Sequence, residues 1–431
     1  MTTKKVPVAI PRTTKARRAA AIIVLMAAGE SIFLLPFALG RIFRPTLLDV
    51  FGLTNLQLGA AYSLYGVLAL VSYFLGGPLA DRFAARRLMT AALVATALGG
   101  VLLTSIPPLG VLTLLYGFWG VTTILLFWAA LIRATREWGG SASQGRAFGL
   151  LEGGRGLLSA LLASVSVAIF SALLPAATTP TLAQRSAALI EIMWTFIGIV
   201  LGAAVLVWFT IPETAPARES RPATKLTLEG MRNVMRTPTI WLQGTILMSV
   251  YVCTKGMDDF SLYARDAFGY SDVAAAQVAM VAFWVRPFAA MGAGLLADRT
   301  KASRTIVLGF CVLIASTLTV ASGAVRLGVP WMVAVTIAGT SAGIFAVRGV
   351  FFALFQEARV PLAVTGSAVG LVSVLGYTPD IFMAALIGYV LDRAPGALGH
   401  QHVFGMIAAS ATLGLIATLL FQRVTRRAAT Q

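Results

Sequence analysis

The sequence predicts an all-α membrane protein of twelve transmembrane helices, arranged as two pseudo-symmetric six-helix bundles. Three observations carry this: the bulk composition, the spacing of the apolar segments, and a short motif that occurs twice, half a chain apart. Of the 431 residues, 58% are hydrophobic and 12% charged, and the mean hydropathy is +0.84. A water-soluble protein carries about 25% charged residues, so lipid is the expected solvent. A span of about 20 residues with a short loop divides this length into about twelve crossings.

Apolar segments recur at residues 19–42, 56–79, 88–106, 109–132, 147–174, 187–211, 239–263, 272–297, 304–324, 329–355, 364–390 and 402–422. In hydrocarbon every backbone polar group must pair within its own segment, so each should be a helix. The first follows a basic stretch and superficially resembles a signal peptide. Its apolar run is too long and contains Glu30, so it reads as a retained helix. Pro36, Pro287 and Pro379 should bend their helices, and Gly153, Gly154 and Gly156 suit close helix packing.

The longest polar break, 212–237, separates residues 1–211 from 238–431 and holds Arg218, Arg221, Lys225, Arg232 and Arg236. With twelve spans both termini share one side. The tails and loops on that side carry 24 of the 34 Lys and Arg residues and the opposite loops carry six, which places both termini in the cytoplasm of a bacterial inner membrane. The same distribution accounts for the net charge of +17 without nucleic acid as a partner. Cys253 and Cys311 fall inside apolar segments with no CxxC spacing, so neither a metal site nor a disulfide is expected.

The loop after the second segment reads Gly77-Pro-Leu-Ala-Asp81-Arg82-Phe-Ala-Ala-Arg86-Arg87. The loop after the eighth reads Gly294-Leu-Leu-Ala-Asp298-Arg299-Thr-Lys-Ala-Ser-Arg304, an offset of 217 residues. Duplication of a six-helix unit explains the coincidence. The motif resembles the Gly-x-x-x-Asp-Arg-x-Gly-Arg-Arg loop of the major facilitator superfamily, with Ala84-Ala85 where that pattern has Gly-Arg. The resemblance implies secondary transport by alternating access, with Gly77, Asp81, Arg82, Arg86, Gly294, Asp298 and Arg299 forming a gate that latches the outward-facing state. The simpler reading of these cations is orientation charge, but orientation does not require the aspartates.

Ionisable groups at membrane depth are costly unless paired or wetted, so each is a functional candidate. Glu30 lies in the first segment. Glu152 and Arg155 lie three apart on the fifth and should neutralise each other. On the seventh, Lys255 precedes Asp258 and Asp259 by three and four residues, on one helical face. Arg286 precedes Pro287, Arg348 lies on the tenth, and Asp380 follows Pro379. By the resemblance, the first, fourth, seventh and tenth helices line the central cavity, which would put Glu30, Lys255, Asp258, Asp259 and Arg348 there. Glu30, Asp258, Asp259 and Asp380 are candidates for proton coupling, or else compensate cations, as Asp380 would for Arg348.

Arg41 and Lys255 lie 40 and 43 residues before Asp81 and Asp298, at similar depths on related helices. Two such cations suit one small anion, although Arg41 is equally a candidate interfacial anchor. Lys255-Gly-Met-Asp258-Asp259-Phe260 is similar to the seventh helix of organophosphate:phosphate antiporters, with Lys for Arg and an added acid. Tyr62 and Tyr377 join Arg41, Lys255 and Arg348 as candidate substrate contacts. Other membrane aromatics, Trp119, Trp128, Trp194 and Trp284 among them, read as packing, and His400 and His402 as exposed loop residues.

The expected solute is therefore an organic anion (a sugar phosphate, sugar acid or carboxylate), with protons or phosphate as the candidate coupling ion. Multidrug/proton efflux ranks lower. Resemblance to the drug:proton antiporter branch would imply an Arg in the middle of the fourth helix and a Gly-Pro-x-x-Gly-Gly element on the fifth, and this sequence has neither. A transporter-like sensor is a further alternative. No nucleotide-binding loop, cofactor motif or catalytic constellation is visible in the sequence, and the chain is expected to be a monomer and not an enzyme.

Overall fold

The computed structural model describes residues 15–140, 144–175, 179–213, 235–325, 330–358 and 362–430. Lys4, Lys5, Arg12, Arg326, Arg359 and most of the 212–237 segment, including Arg218, Arg221, Lys225 and Arg232, lie outside the described residues. Each expected span is helical. In chain order they are Lys15–Ile42, Asn55–Arg82, Ala85–Thr104, Leu109–Gly139, Gln144–Leu173 and Leu182–Thr210 in the first half. The second half has Pro238–Lys255 with its continuation Phe260–Phe268, then Asp272–Arg299, Ala302–Ala321, Pro330–Val350, Leu362–Tyr377 with Pro379–Arg393, and Ala397–Thr430.

Several helices outrun the apolar segments. The twelfth extends past 402–422 at both ends, because polar residues end the hydrocarbon stretch without ending the helix. Side chains such as Leu98, Leu114, Phe209 and Trp331 point outward and are largely exposed, as a lipid-facing surface requires. Pro36 sits in a widened π-helical turn, Leu34–Ala38, and Pro379 opens a new segment after a break at Thr378. In both places the chain absorbs the missing proline N–H by changing its helical path.

Eleven helices among the described residues are long and apolar enough to cross a bilayer. The seventh span is the additional crossing. A tight 3₁₀ turn at Gly256–Asp259 interrupts it, and Lys255, Asp258 and Asp259 load it with charge. Its crossing follows from direction. Asn55, Gly59 and Gly66 of the second span meet Asp392, Ala384 and Asp380 of the eleventh in reverse order, so these two spans are antiparallel. Nine connections separate them only if the seventh span crosses.

Packing repeats between the halves. The first span packs on the fifth and sixth, the third on the sixth and the second on the fourth; the seventh packs on the eleventh and twelfth, the ninth on the twelfth and the eighth on the tenth. The halves meet where the second span lies on the eleventh and the eighth on the fifth. The duplication reaches single residues. Thr54 and Ser271, 217 apart, both accept a backbone N–H from the third helical residue of their spans. Gly52 and Gly269, also 217 apart, both end short helices with φ of 61° and 67°, a left-handed closure that favours glycine.

Candidate functional site

At the end opposite the termini, the far end, charged residues join the halves. The first span finishes at Ile42 and the short helix Arg44–Phe51 follows. Arg41 donates to Asp258 at 2.6 Å, and Arg44 pairs with Asp259 at 3.0 Å with both side chains almost wholly covered. Ser261 also donates to the Arg41 carbonyl at 3.1 Å. Arg41 and Asp258 are separated by 217 residues, the repeat offset. A residue that touches its own duplicate must lie beside the two-fold axis, so this pair marks the centre of the closure.

Around it, Arg185 reaches Asp49 at 2.5 Å and Asp272 at 2.8 Å, and Arg265 reaches Asp49 at 2.7 Å. Asp392 accepts from the backbone of Asn55 at 3.0 Å and of Leu56 at 2.8 Å. Backbones close in as well. A Cβ added at Gly59, Gly66 or Gly388 would lie 2.3 Å from a main-chain oxygen of the opposite half.

Midway along the spans lie all four cations that the sequence places inside helices. Glu30 is 8% exposed, with Arg286 of the eighth span 3.3 Å from one oxygen and Arg155 of the fifth 3.5 Å from the other. Arg155 also holds Glu152 at 2.8 Å, the neutralising pair that their spacing suggests. Lys255 pairs with Asp380 and lies 5.4 Å from the Phe37 ring. Arg348 is exposed, yet its guanidinium lies 5.5 Å from the Tyr251 ring of the seventh span. That contact turns it inward, toward the seventh span. Tyr377 stacks on Tyr73 at 5.8 Å and meets Tyr251 edge-on at 4.9 Å.

Four cations here face three acids, Glu30, Glu152 and Asp380. Arg348 is the one without an acidic hydrogen-bonding or ion-pair partner among the described residues.

The structure regroups several residues. Arg41 and Lys255 do not form a shared pincer, because each is engaged by a different aspartate. Asp258 and Asp259 leave Lys255 for Arg41 and Arg44, and Asp380 takes Lys255 instead of Arg348. Tyr62 is buried between Phe37 and Tyr116. His400 is wholly buried, 3.3 Å from Asp266 and against Tyr263, whereas His402 is exposed. Arg44, Asp49, Arg185, Arg265, Asp272 and Asp392 escape a sequence reading because they resemble loop charges. The repeated Phe51-Gly-Leu-Thr54 and Phe268-Gly-Tyr-Ser271 turns, with acids and cations around each, are the signal that could have found them.

At the end carrying the termini, Asp81, Arg82, Asp298 and Arg299 are exposed. Neither aspartate has a hydrogen-bond or ion-pair partner among the described residues. Arg86 holds Glu213 at the start of the 212–237 segment and lies 4.8 Å from the Trp208 ring of the first half. Glu357 accepts from Ser303 at 2.6 Å, within the second half. Beside Gly77 and Gly294 there is open space.

The model of the Major Facilitator Superfamily matches residues 19–379. Two Escherichia coli relatives, "Inner membrane protein YihN" and "Inner membrane protein YqcE", are each 28% identical; the matches cover 94% of this chain and 95% of the first, and 89% and 90% for the second. Among solved structures, a bacterial homolog of the human lysosomal transporter Spinster, inward-facing and unoccupied, aligns with a TM-score of 0.70 at 14% identity, over 96% of this chain and 98% of that one. The nucleoside transporter NupG aligns with a TM-score of 0.69 at 14% identity, over 95% and 99%. At such identity the likeness is one of fold. The chain belongs to the major facilitator superfamily and is a multi-pass inner-membrane protein.

Proposed function

We propose that this member of the major facilitator superfamily carries a small organic anion across the inner membrane, by proton symport or by exchange for another anion. In this reading the halves 1–211 and 238–431, joined by 212–237, rock about a central site. The distribution of Lys and Arg puts the termini in the cytoplasm, so the clasped far end is periplasmic and the structure is inward-facing. The observation that carries the reading is Arg348, an inward-turned guanidinium left over after every acid around it is engaged. An uncompensated cation in a partly desolvated cavity favours an anionic solute. Tyr251 and Tyr377 add flat surfaces and hydroxyls of the kind that orient a small polar molecule.

The test is a thermal-shift screen of sugar phosphates, sugar acids and carboxylates, followed by uptake of each hit into proteoliposomes. Uptake is measured with a pH gradient and, separately, with anion loaded inside. Arg348→Gln should weaken binding about 10- to 100-fold, as expected for loss of a hydrogen bond to a charged group. Proton-driven export of cationic dyes that survives Arg348→Gln would replace this reading with drug efflux.

A further inference from the structure

We propose that the solute is a monoanionic, hydroxyl-bearing acid of the sugar-acid type, and that Glu152 selects it by rejecting a second negative charge. The proposal rests on the anion reading and goes further by naming the residue that sets the solute's charge.

The four cations and three acids midway along the spans leave one net positive charge between the halves. A monoanion neutralises it. A phosphate or a dicarboxylate would bring an excess negative charge to membrane depth, where unpaired charge is costly. The three acids do not meet such a solute equally. Glu30 is covered by Arg155 and Arg286, and Asp380 is largely covered beside Lys255. Glu152 keeps 56% of its side chain exposed, although Arg155 holds one of its oxygens at 2.8 Å. Its second oxygen has no hydrogen-bond partner among the described residues. The charge of Glu152 also reaches Arg286, Arg348 and Tyr377, all of the second half. Glu152 therefore looks across to the other half and away from lipid. It is the acid that a solute seated on Arg348 would face.

A carboxylate accepts hydrogen bonds and donates none. The free oxygen of Glu152 would repel a second solute carboxylate or phosphate and accept from a solute hydroxyl. The groups around Arg348 point the same way. Tyr251 lies 5.5 Å from its guanidinium, Tyr377 meets Tyr251 edge-on, and Tyr73 of the first half stacks on Tyr377. None of these three phenolic hydroxyls has a hydrogen-bond partner among the described residues. One uncommitted guanidinium, three uncommitted phenols and one free carboxylate oxygen match a molecule with one carboxylate and several hydroxyls. They match a dianion poorly, because Arg155, Arg286 and Lys255 are each taken by an acid. With the Glu152 charge removed, the same groups would carry two net positive charges and suit a dianion instead.

The purified full-length protein is tested by equilibrium binding of gluconate, glucuronate, succinate and glycerol 3-phosphate. At slightly alkaline pH the first two carry one negative charge and the last two carry two. Wild type should bind at least one of the sugar acids about tenfold more tightly than either dianion. Glu152→Gln keeps an oxygen for Arg155 and removes the charge, so it should bind succinate and glycerol 3-phosphate about tenfold more tightly than wild type does. Its affinity for the sugar acids should fall a few-fold, because a neutral oxygen accepts a weaker hydrogen bond. Glu152→Asp should restore the exclusion of dianions, and a gain of binding cannot come from a damaged fold. Equal or tighter wild-type binding of a dianion, or unchanged exclusion of dianions by Glu152→Gln, overturns the proposal and leaves the anion reading standing. Undiminished binding by Arg348→Gln, or wild-type binding of none of the four, overturns the anion reading and the proposal with it.

Discussion

The two ends of the bundle carry similar charge chemistry and use it differently. At the far end Arg41, Arg44, Arg185 and Arg265 each hold an aspartate of the opposite half, and glycines let the second and eleventh backbones touch. At the end with the termini, the duplicated Asp81 and Asp298 stand exposed without partners among the described residues, and Gly77 and Gly294 face open space. A latch that closes one state should lie idle in the other, because two rigid halves cannot close at both ends around a central solute. In the proposed rocking cycle the far-end pairs belong to the conformation seen here, and the duplicated Asp-Arg motif would make its contacts in the other one.

The strongest way to break this asymmetry is through backbone contact. A Cβ at Gly66 would lie 2.3 Å from the Asp380 carbonyl oxygen and 2.5 Å from its carbon, and neither main-chain atom can move aside locally. Gly66→Leu should hold the far end apart, reducing uptake by roughly a hundredfold or more if closure is obligatory. Spin labels at Leu53 and Tyr270, duplicates on opposite halves, should move several ångströms apart. Gly77→Ala should leave that distance unchanged.

The next effect is electrostatic. Asp258→Asn leaves Arg41 without its acid in a largely covered site, and breaking such a pair costs about 3 kcal/mol, or roughly a hundredfold in the balance between closed and open far ends. The label distance should shift toward the open population. Because residues 41 and 258 are duplicates beside the axis, the swap Arg41→Asp with Asp258→Arg should restore the closed population. Failure of the swap would mean that the pair only accompanies closure.

What the sequence reveals and hides has a physical pattern. Twelve spans and two halves are legible because hydrocarbon imposes length on every helix and duplication repeats Gly77-to-Arg82 at Gly294-to-Arg299. The Glu152–Arg155 pair is legible because the fifth helix is regular there. The grouping of Lys255 with Asp258 and Asp259 fails because it assumes an α-helical face. The 3₁₀ turn at Gly256–Asp259 changes the angle per residue, which turns the two aspartates toward Arg41 and Arg44 while Lys255 faces Asp380. Arg44, Asp49 and Arg185 are hidden for another reason. Residues just outside a span look the same whether they face water or a partner half, and only tertiary packing distinguishes them.

The smallest effect separates holding a state from reaching one. Asp81 is exposed and unpartnered among the described residues, so Asp81→Asn removes no attractive contact from this conformation, and the same holds for Asp298→Asn. Surface changes of that kind fall within about 0.5 kcal/mol, and the melting temperature in detergent should stay within about a degree of wild type. Transport should nonetheless slow, by about tenfold for a charged contact made only when that end closes. A large loss of thermal stability in Asp81→Asn would show that the motif already bears load in the clasped form, and the two ends would then differ in degree only.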